Sequence, residues 1–291
     1  MEELLINFPI AAEIAEMTSR LQEIKADSIK YAKDKAALQQ MFSAIDLTSL
    51  NTSDSSESVR AFVEKVNTFA VDYPTLQNVG GICVYPVFAP VLKQALKVEG
   101  VYKAVVAACF PSSQTFTDIK CMEVRKAIEF GANEIDVVIS VGEMLEGNYE
   151  FVYQEIVQIK EACGDKARLK VILETGTLSD PQTIWNASIL AMEAGADMIK
   201  TSTGKNGIGA TPEAAFVMCN AIKAFAAKNG RKVGFKPAGG VQTVEDACYY
   251  YNIVQRVLGD EWTSVEMFRI GASRLANALL SAIVGSETKY F

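Results

Sequence analysis

The chain predicts a parallel (β/α)8 barrel, a TIM barrel, preceded by an N-terminal helical extension. Three observations carry this reading. Eight short apolar runs each precede or follow a helical pattern in strict alternation. Glycines close most of the helical stretches. The length of 291 residues exceeds by a modest extension the roughly 250 that such a barrel needs. An open doubly wound sheet is the alternative, but no Gly-x-Gly-x-x-Gly follows the first strands.

Ile10, Ile14, Met17, Leu21 and Ile24 recur in steps of four and three, the spacing of one apolar helix face. They belong to an extension taken as residues 1–40, expected to cover the outside of the barrel or a subunit contact. Strands are then expected at 42–47, 81–85, 103–109, 134–139, 169–173, 198–201, 233–236 and 268–270. Helical patterns occupy 56–69, 89–97, 116–130, 149–162, 182–193, 212–228 and 244–258. Thr211-Pro212 reads as an N-cap and first helical residue, and Gly131, Gly164, Gly195, Gly230 and Gly259 read as helix stops. The barrel is assigned residues 41–285, and a tail 286–291 follows a final helix.

Composition narrows the partners. A net charge of −7 argues against nucleic acid or an anionic membrane surface, whose recognition depends on clustered Lys and Arg. Small molecules are the expected ligands. The chain has no histidine, so the commonest general base and metal ligand are missing and proton transfer falls to Asp, Glu, Lys, Tyr or water. Six cysteines without a Cys-x-x-Cys pair are expected as buried thiols in a reducing compartment. The opening MEELLINFPI lacks a basic leader region, and no apolar run approaches the ~18 residues of a membrane span, so a cytoplasmic location is expected.

The stretch Gly195–Glu213, GADMIKTSTGKNGIGATPE, organises the rest. Lys200 ends its apolar run, and a desolvated ammonium loses its proton more readily, leaving an amine that attacks carbonyls. Two junctions nearly repeat: Gly131 to Asp136 and Gly195 to Lys200 each place a charged residue five positions after a helix stop, so Asp136 and Lys200 are expected to face each other. Lys170 and Lys236 lie six positions after Gly164 and Gly230, a second register that suits the layered filling of barrels. Period-two alternation sets Lys170, Ile172 and Glu174 on one face, and Met198, Lys200 and Ser202 on another. Such charges either fill the barrel as a structural ion network or form a site. Burying charge is costly unless every group is paired, which favours a site. On this reading alone, Lys200 and Lys236 are rival nucleophiles.

The segments EIDVVI (134–139), LKVILETG (169–176), IKTSTGK (199–205), GFKPAGGV (234–241) and FRIGAS (268–273) together resemble the deoxyribose-phosphate aldolases, class I aldolases built on this barrel. The resemblance extends over roughly residues 41–285. It implies that Lys200 forms the Schiff base, that Asp136 and Lys236 relay protons, and that 2-deoxy-D-ribose 5-phosphate is cleaved to D-glyceraldehyde 3-phosphate and acetaldehyde. No metal or other cofactor is implied. Lys170, Asp46, Thr48, Cys83 and Thr201 fall on positions that line the family's site. Barrels commonly bind phosphate on loops after strands seven and eight, which carry Gly239-Gly240 and Gly271-Ala272-Ser273 here, while Gly204 and Lys205 come from the loop after strand six.

Two departures from the family stand at the phosphate end. Gln242 occupies a position that is often arginine, and Arg274 one that is often small, so Arg274 is expected to replace the missing charge in part. In some members of the family a tail tyrosine enters the site and assists proton transfer, and the resemblance makes Tyr290 a candidate for that role, with a disordered tail as the alternative. The sequence admits a homodimer without specifying one. A related class I aldolase with another aldol substrate, or a non-catalytic barrel that binds sugar phosphates, is the alternative function.

Overall fold

The computed structural model describes residues 1–291. Eight parallel strands form the barrel: β1 Ile45–Thr48, β2 Gly81–Val84, β3 Tyr102–Ala107, β4 Glu134–Val138, β5 Arg168–Ile172, β6 Met198–Lys200, β7 Gly234–Lys236 and β8 Ile270–Ala272. Each pairs with its successor from β1 to β7, and β8 pairs with β1. Bridges from Phe235 to Phe268 and from Ala238 to Gly271 close the last seam. Closure satisfies both strand edges and buries both faces of every strand, one inside the barrel and one under the helices.

The principal helices are α1 Met17–Ser28, α2 Lys35–Ser43, α3 Ser56–Asp72, α4 Ala89–Ala95, α5 Thr117–Glu129, α6 Tyr149–Cys163, α7 Pro181–Glu193, α8 Pro212–Asn229, α9 Val244–Leu258 and α10 Arg274–Val284. Their ends follow local chemistry. Thr211 accepts the Ala214 N–H at the start of α8, Pro212 holds its first position, and Gly230 ends it at φ +68°. Thr243 and Asp246 cap each other's backbone at the start of α9.

β1 begins three residues later than expected because Phe42 and Ser43 complete α2, which Asp34 caps by accepting the Ala36 and Ala37 N–H groups. That helix runs past residue 40, so the extension enters the barrel without a linker. β8 is also displaced, beginning at Ile270, while Phe268 makes only an isolated bridge to β7. Residues 1–33 lie against the outer face of α7–α9, and α2 packs chiefly on α10. Trp185 donates to the Phe8 carbonyl at 2.8 Å, Tyr249 to Leu21 at 3.0 Å and Asn252 to Ile24 at 2.7 Å. No helix is long and apolar enough to cross a membrane.

Candidate active site

Parallel pairing puts registered residues on the same face of the sheet, and the register aligns Asp136 with Lys170 and Lys200 with Lys236. All four point into the barrel. With Asp46 from β1, Glu134 from β4 and Arg269 ahead of β8 they make a buried cage of four cations and three carboxylates, of which only Lys200 retains any exposure, 3%. Asp136 Oδ2 accepts from Lys200 Nζ at 2.8 Å and from Lys236 Nζ at 2.7 Å. Lys236 also donates to Asp46, and Arg269 donates to the other oxygen of Asp46. Lys170 lies 2.5 Å from Glu134, 2.9 Å from Asp46 and 3.3 Å from Asp136 Oδ1, which accepts no hydrogen bond.

The charge balance separates the two candidate nucleophiles. Fully ionised, the cage carries one surplus positive charge, which a low-dielectric interior penalises. The surplus is removed if one amine is neutral. Burial lowers the Lys200 pKa, and the Lys236 cation adds to this against the pull of Asp136. Lys236 goes the other way: burial opposes its charge, but Asp136 and Asp46 together outweigh it and hold the ammonium above the ordinary lysine range. Burial also raises Asp136, yet Lys170, Lys200 and Lys236 overcome it and keep the carboxylate ionised. Of these two, Lys200 is therefore the more readily deprotonated.

Lys200 also reaches the opening above. A pocket of about 330 Å³ is lined by Thr48, Leu50 and Asn51 at and after the end of β1, Lys200, Thr203, Gly204 and Lys205 at and after the end of β6, Ala238 to Gln242 after β7, and Gly271 to Arg274 from β8 into α10. Its rim depends on backbone conformations that only glycine adopts readily, with Gly204, Gly239 and Gly240 at φ +73°, +80° and +84°. Gly271 is small for another reason: a Cβ there would stand 2.8 Å from Ala238 Cβ and 3.2 Å from Lys236 Cε. Ser273 and Arg274, at the start of α10, line this rim, and the Arg274 side chain has no ion-pair partner. Lys205 donates to the Leu50 carbonyl across the mouth.

Several expected site residues do not line the pocket. Lys170 and Asp46 lie beneath its floor in the cage, fully buried, and Cys83 beside them has its thiol pushed up to about 11 by burial and the Asp136 charge. Thr201 donates to the Ala238 carbonyl at 3.2 Å and accepts its N–H at 3.0 Å, tying β6 to β7 instead of facing the opening. Glu174 leaves the inward face shared by Lys170 and Ile172 because its backbone turns left-handed at φ +58°. Its carboxylate accepts from Thr203 at 3.1 and 2.6 Å and from Asn206 at 3.0 Å, bracing the loop that carries Lys205. Five of the six thiols are buried as expected, whereas Cys109 is partly exposed.

Tyr290 is placed away from the site. Its hydroxyl meets Thr68 at 2.9 Å, the Lys65 carbonyl at 3.1 Å and Asp72 at 2.7 Å, all in the later turns of α3, whose beginning lies at the pocket end of the barrel. That helix is roughly 24 Å long. Phe291 stacks on Phe69, and Asn277 accepts the N–H groups of both tail residues at 2.8 and 2.9 Å. Aromatic packing and paired backbone groups hold the tail there. Deleting Tyr290 and Phe291 is accordingly expected to lower the melting temperature by several degrees while leaving turnover and proton exchange at the substrate C2 within about two-fold. Loss of exchange at unchanged stability would restore the relay.

Two cage members escaped the sequence reading. Glu134 stands two residues before Asp136 and Arg269 two before Gly271, so period-two alternation was sufficient to place both inward. The other pocket residues, Leu50, Asn51 and Thr203 among them, come from loops, where no periodicity fixes direction.

A family model described as DeoC/LacD family aldolase matches residues 40–275. The deoxyribose-phosphate aldolase of Homo sapiens is 38% identical over 290 residues, covering 94% of this chain and 88% of that one. The Mus musculus enzyme of the same name is 40% identical over 272 residues, covering 90% and 85%. The tetrameric deoxyribose phosphate aldolase structure from Aeropyrum pernix superposes with a TM-score of 0.67 at 27% identity, covering 88% of this chain and 97% of that one. The match spans every strand of the barrel and each lysine and carboxylate of the cage, and the chain belongs to the DeoC/LacD aldolase family.

Proposed function

We propose that this aldolase is a cytoplasmic deoxyribose-phosphate aldolase that cleaves 2-deoxy-D-ribose 5-phosphate reversibly through a Schiff base on Lys200. The carrying observation is the pairing of a readily deprotonated, pocket-facing Lys200 with a firmly charged Lys236 on one carboxylate oxygen of Asp136. Six unpaired thiols favour a reducing compartment.

The neutral Lys200 amine attacks C1 of the open-chain sugar, forming a carbinolamine. Asp136 and Lys236, both within hydrogen-bond reach of the amine or its carboxylate partner, manage the protons as water leaves and a protonated imine forms. The iminium draws in the C2–C3 bonding electrons. The bond breaks, the C3 hydroxyl loses its proton to become the aldehyde of glyceraldehyde 3-phosphate, and an enamine remains on Lys200. Protonation at C2 and hydrolysis of the imine then release acetaldehyde and the free amine. Phosphate occupies the glycine rim and the start of α10, where Arg274 and Lys205 contribute charge.

Trapping tests the central assignment: borohydride reduction with acetaldehyde is expected to convert the Lys200 amine to its N-ethyl form, a net gain of C2H4, located by peptide mass mapping. An adduct on another lysine would overturn it. For the phosphate end, Arg274→Ala is expected to raise KM for the phosphorylated sugar roughly 10-fold or more, with little change for unphosphorylated deoxyribose. Equal effects on the two sugars would remove Arg274 from that role.

A further inference from the structure

We infer that Arg269 is a positioning residue for the reaction: as the one cage cation that cannot release its proton, it fixes a surplus positive charge that Lys200 is left to shed. The inference rests on the Schiff-base reading of Lys200 and adds what sets the charge of that amine. Arg269 stands just ahead of β8 and is fully buried. Its guanidinium donates to Asp46 from β1 and to both oxygens of Glu134 from β4, at 3.3 and 3.2 Å, and lies 5.0 Å from the ring centroid of Tyr102 on β3. The backbone makes room for it: a Cβ at Gly80 would stand 2.9 Å from Arg269 Nε, and one at Gly81 would meet both the guanidinium and Asp46. Burial opposes the charge, but Asp46 and Glu134 outweigh it and raise the pKa above the ordinary arginine value. A guanidinium is in any case protonated at every working pH. Arg168 from β5 also approaches Glu134, at 3.4 Å, but its side chain is 27% exposed and its charge is screened by water.

The three amines of the cage can lose a proton, and they are not equally held. Lys170 has Glu134 and Asp46 close by and Asp136 at 3.3 Å, and Lys236 has Asp46 and Asp136. Lys200 has the single carboxylate of Asp136, with the Lys236 ammonium on β7 and the Cys83 thiol on β2 as its other titratable neighbours. It is also the only one of the three that lines the pocket. Without Arg269, three ammonium groups would balance three carboxylates, and Lys200 would keep its proton more firmly. Loss of Glu134 acts in the opposite sense, leaving four cations against two carboxylates. A guanidinium that only filled space would alter stability without moving the protonation of Lys200 in a direction set by the sign of the charge removed.

The test follows N-ethylation of Lys200 by acetaldehyde and cyanoborohydride across a series of pH values, read by peptide mass. The rate rises with pH through the pKa of the amine. Arg269→Met removes a cation, favours the ammonium and is expected to move the rising limb up by about one pH unit. Glu134→Gln removes an anion and is expected to move it down by about as much. The double variant has the wild-type surplus, and its limb is expected to return close to the wild-type place. Circular dichroism confirms folding at each pH. Should Arg269→Met not fold, the upward step from Glu134→Gln to the double variant reads the same guanidinium charge. Limbs that coincide, or that move the same way in both single variants, with the adduct still on Lys200, would overturn the role of Arg269 alone. An adduct on another lysine would overturn the Schiff-base assignment, and this inference with it.

Discussion

Lys200→Met is expected to lower kcat/KM by at least about 10⁴-fold and to abolish the borohydride-trapped adduct, while the melting temperature stays within a few degrees of wild type. The loss follows from removing the only cage amine that lines the pocket. The small effect on stability follows from the charge count. Without Lys200, three cations, Lys170, Lys236 and Arg269, face three carboxylates, Asp46, Glu134 and Asp136, and every carboxylate keeps a cationic partner. If Lys200 were instead required as a cation in the resting cage, its removal would cost Asp136 one charge-assisted hydrogen bond, and unfolding by heat would reveal a loss of about 1.5–3 kcal/mol. Calorimetry and steady-state kinetics on one preparation separate the two cases.

Lys236→Met is expected to behave oppositely on stability and differently on pH. With Lys200 neutral, two cations, Lys170 and Arg269, then face three buried carboxylates, Asp46 and Asp136 lose a shared donor, and destabilisation of about 3–5 kcal/mol is expected. Assayed below its melting temperature, the variant should retain about 0.1–1% of kcat/KM, because one relay member is gone. The alkaline direction of the pH profile carries the sharper test. Attack needs neutral Lys200, so activity rises with pH through the pKa of that amine. Lys236 lowers this pKa by repulsion and also shares the carboxylate that would otherwise serve Lys200 alone. Its removal raises the Lys200 pKa on both counts, moving the rising limb of kcat/KM to higher pH. A limb that stays in place would mean that burial alone, the larger influence on Lys200, sets its protonation.

The sequence by itself determined the barrel and the identity of its reactive row. Alternating elements, glycine stops and fixed offsets from those stops were legible because helix and strand periods are short-range properties of the backbone. The offset from Gly131 to Asp136 and from Gly195 to Lys200 was sufficient to predict that the two side chains meet, and they do at 2.8 Å. It did not decide between Lys200 and Lys236, since both end short apolar runs with similar neighbours. The family resemblance pointed to Lys200, and the closed barrel adds a physical reason by bringing Asp46 and Arg269 from distant strands and giving Lys236 two carboxylates where Lys200 has one. Glu174 and Thr201 turned away from the opening because a left-handed backbone and a cross-strand hydrogen bond, neither encoded in periodicity, set their direction. The tail position of Tyr290 likewise depended on what it packs against: Phe69, Tyr73 and Asp72 on α3 offer the hydroxyl and ring more partners than the polar pocket does. Chemistry that resides in side-chain type was readable along the chain. Protonation, orientation and burial waited on tertiary structure, because each depends on groups tens to hundreds of residues away in sequence and within a few ångströms in space.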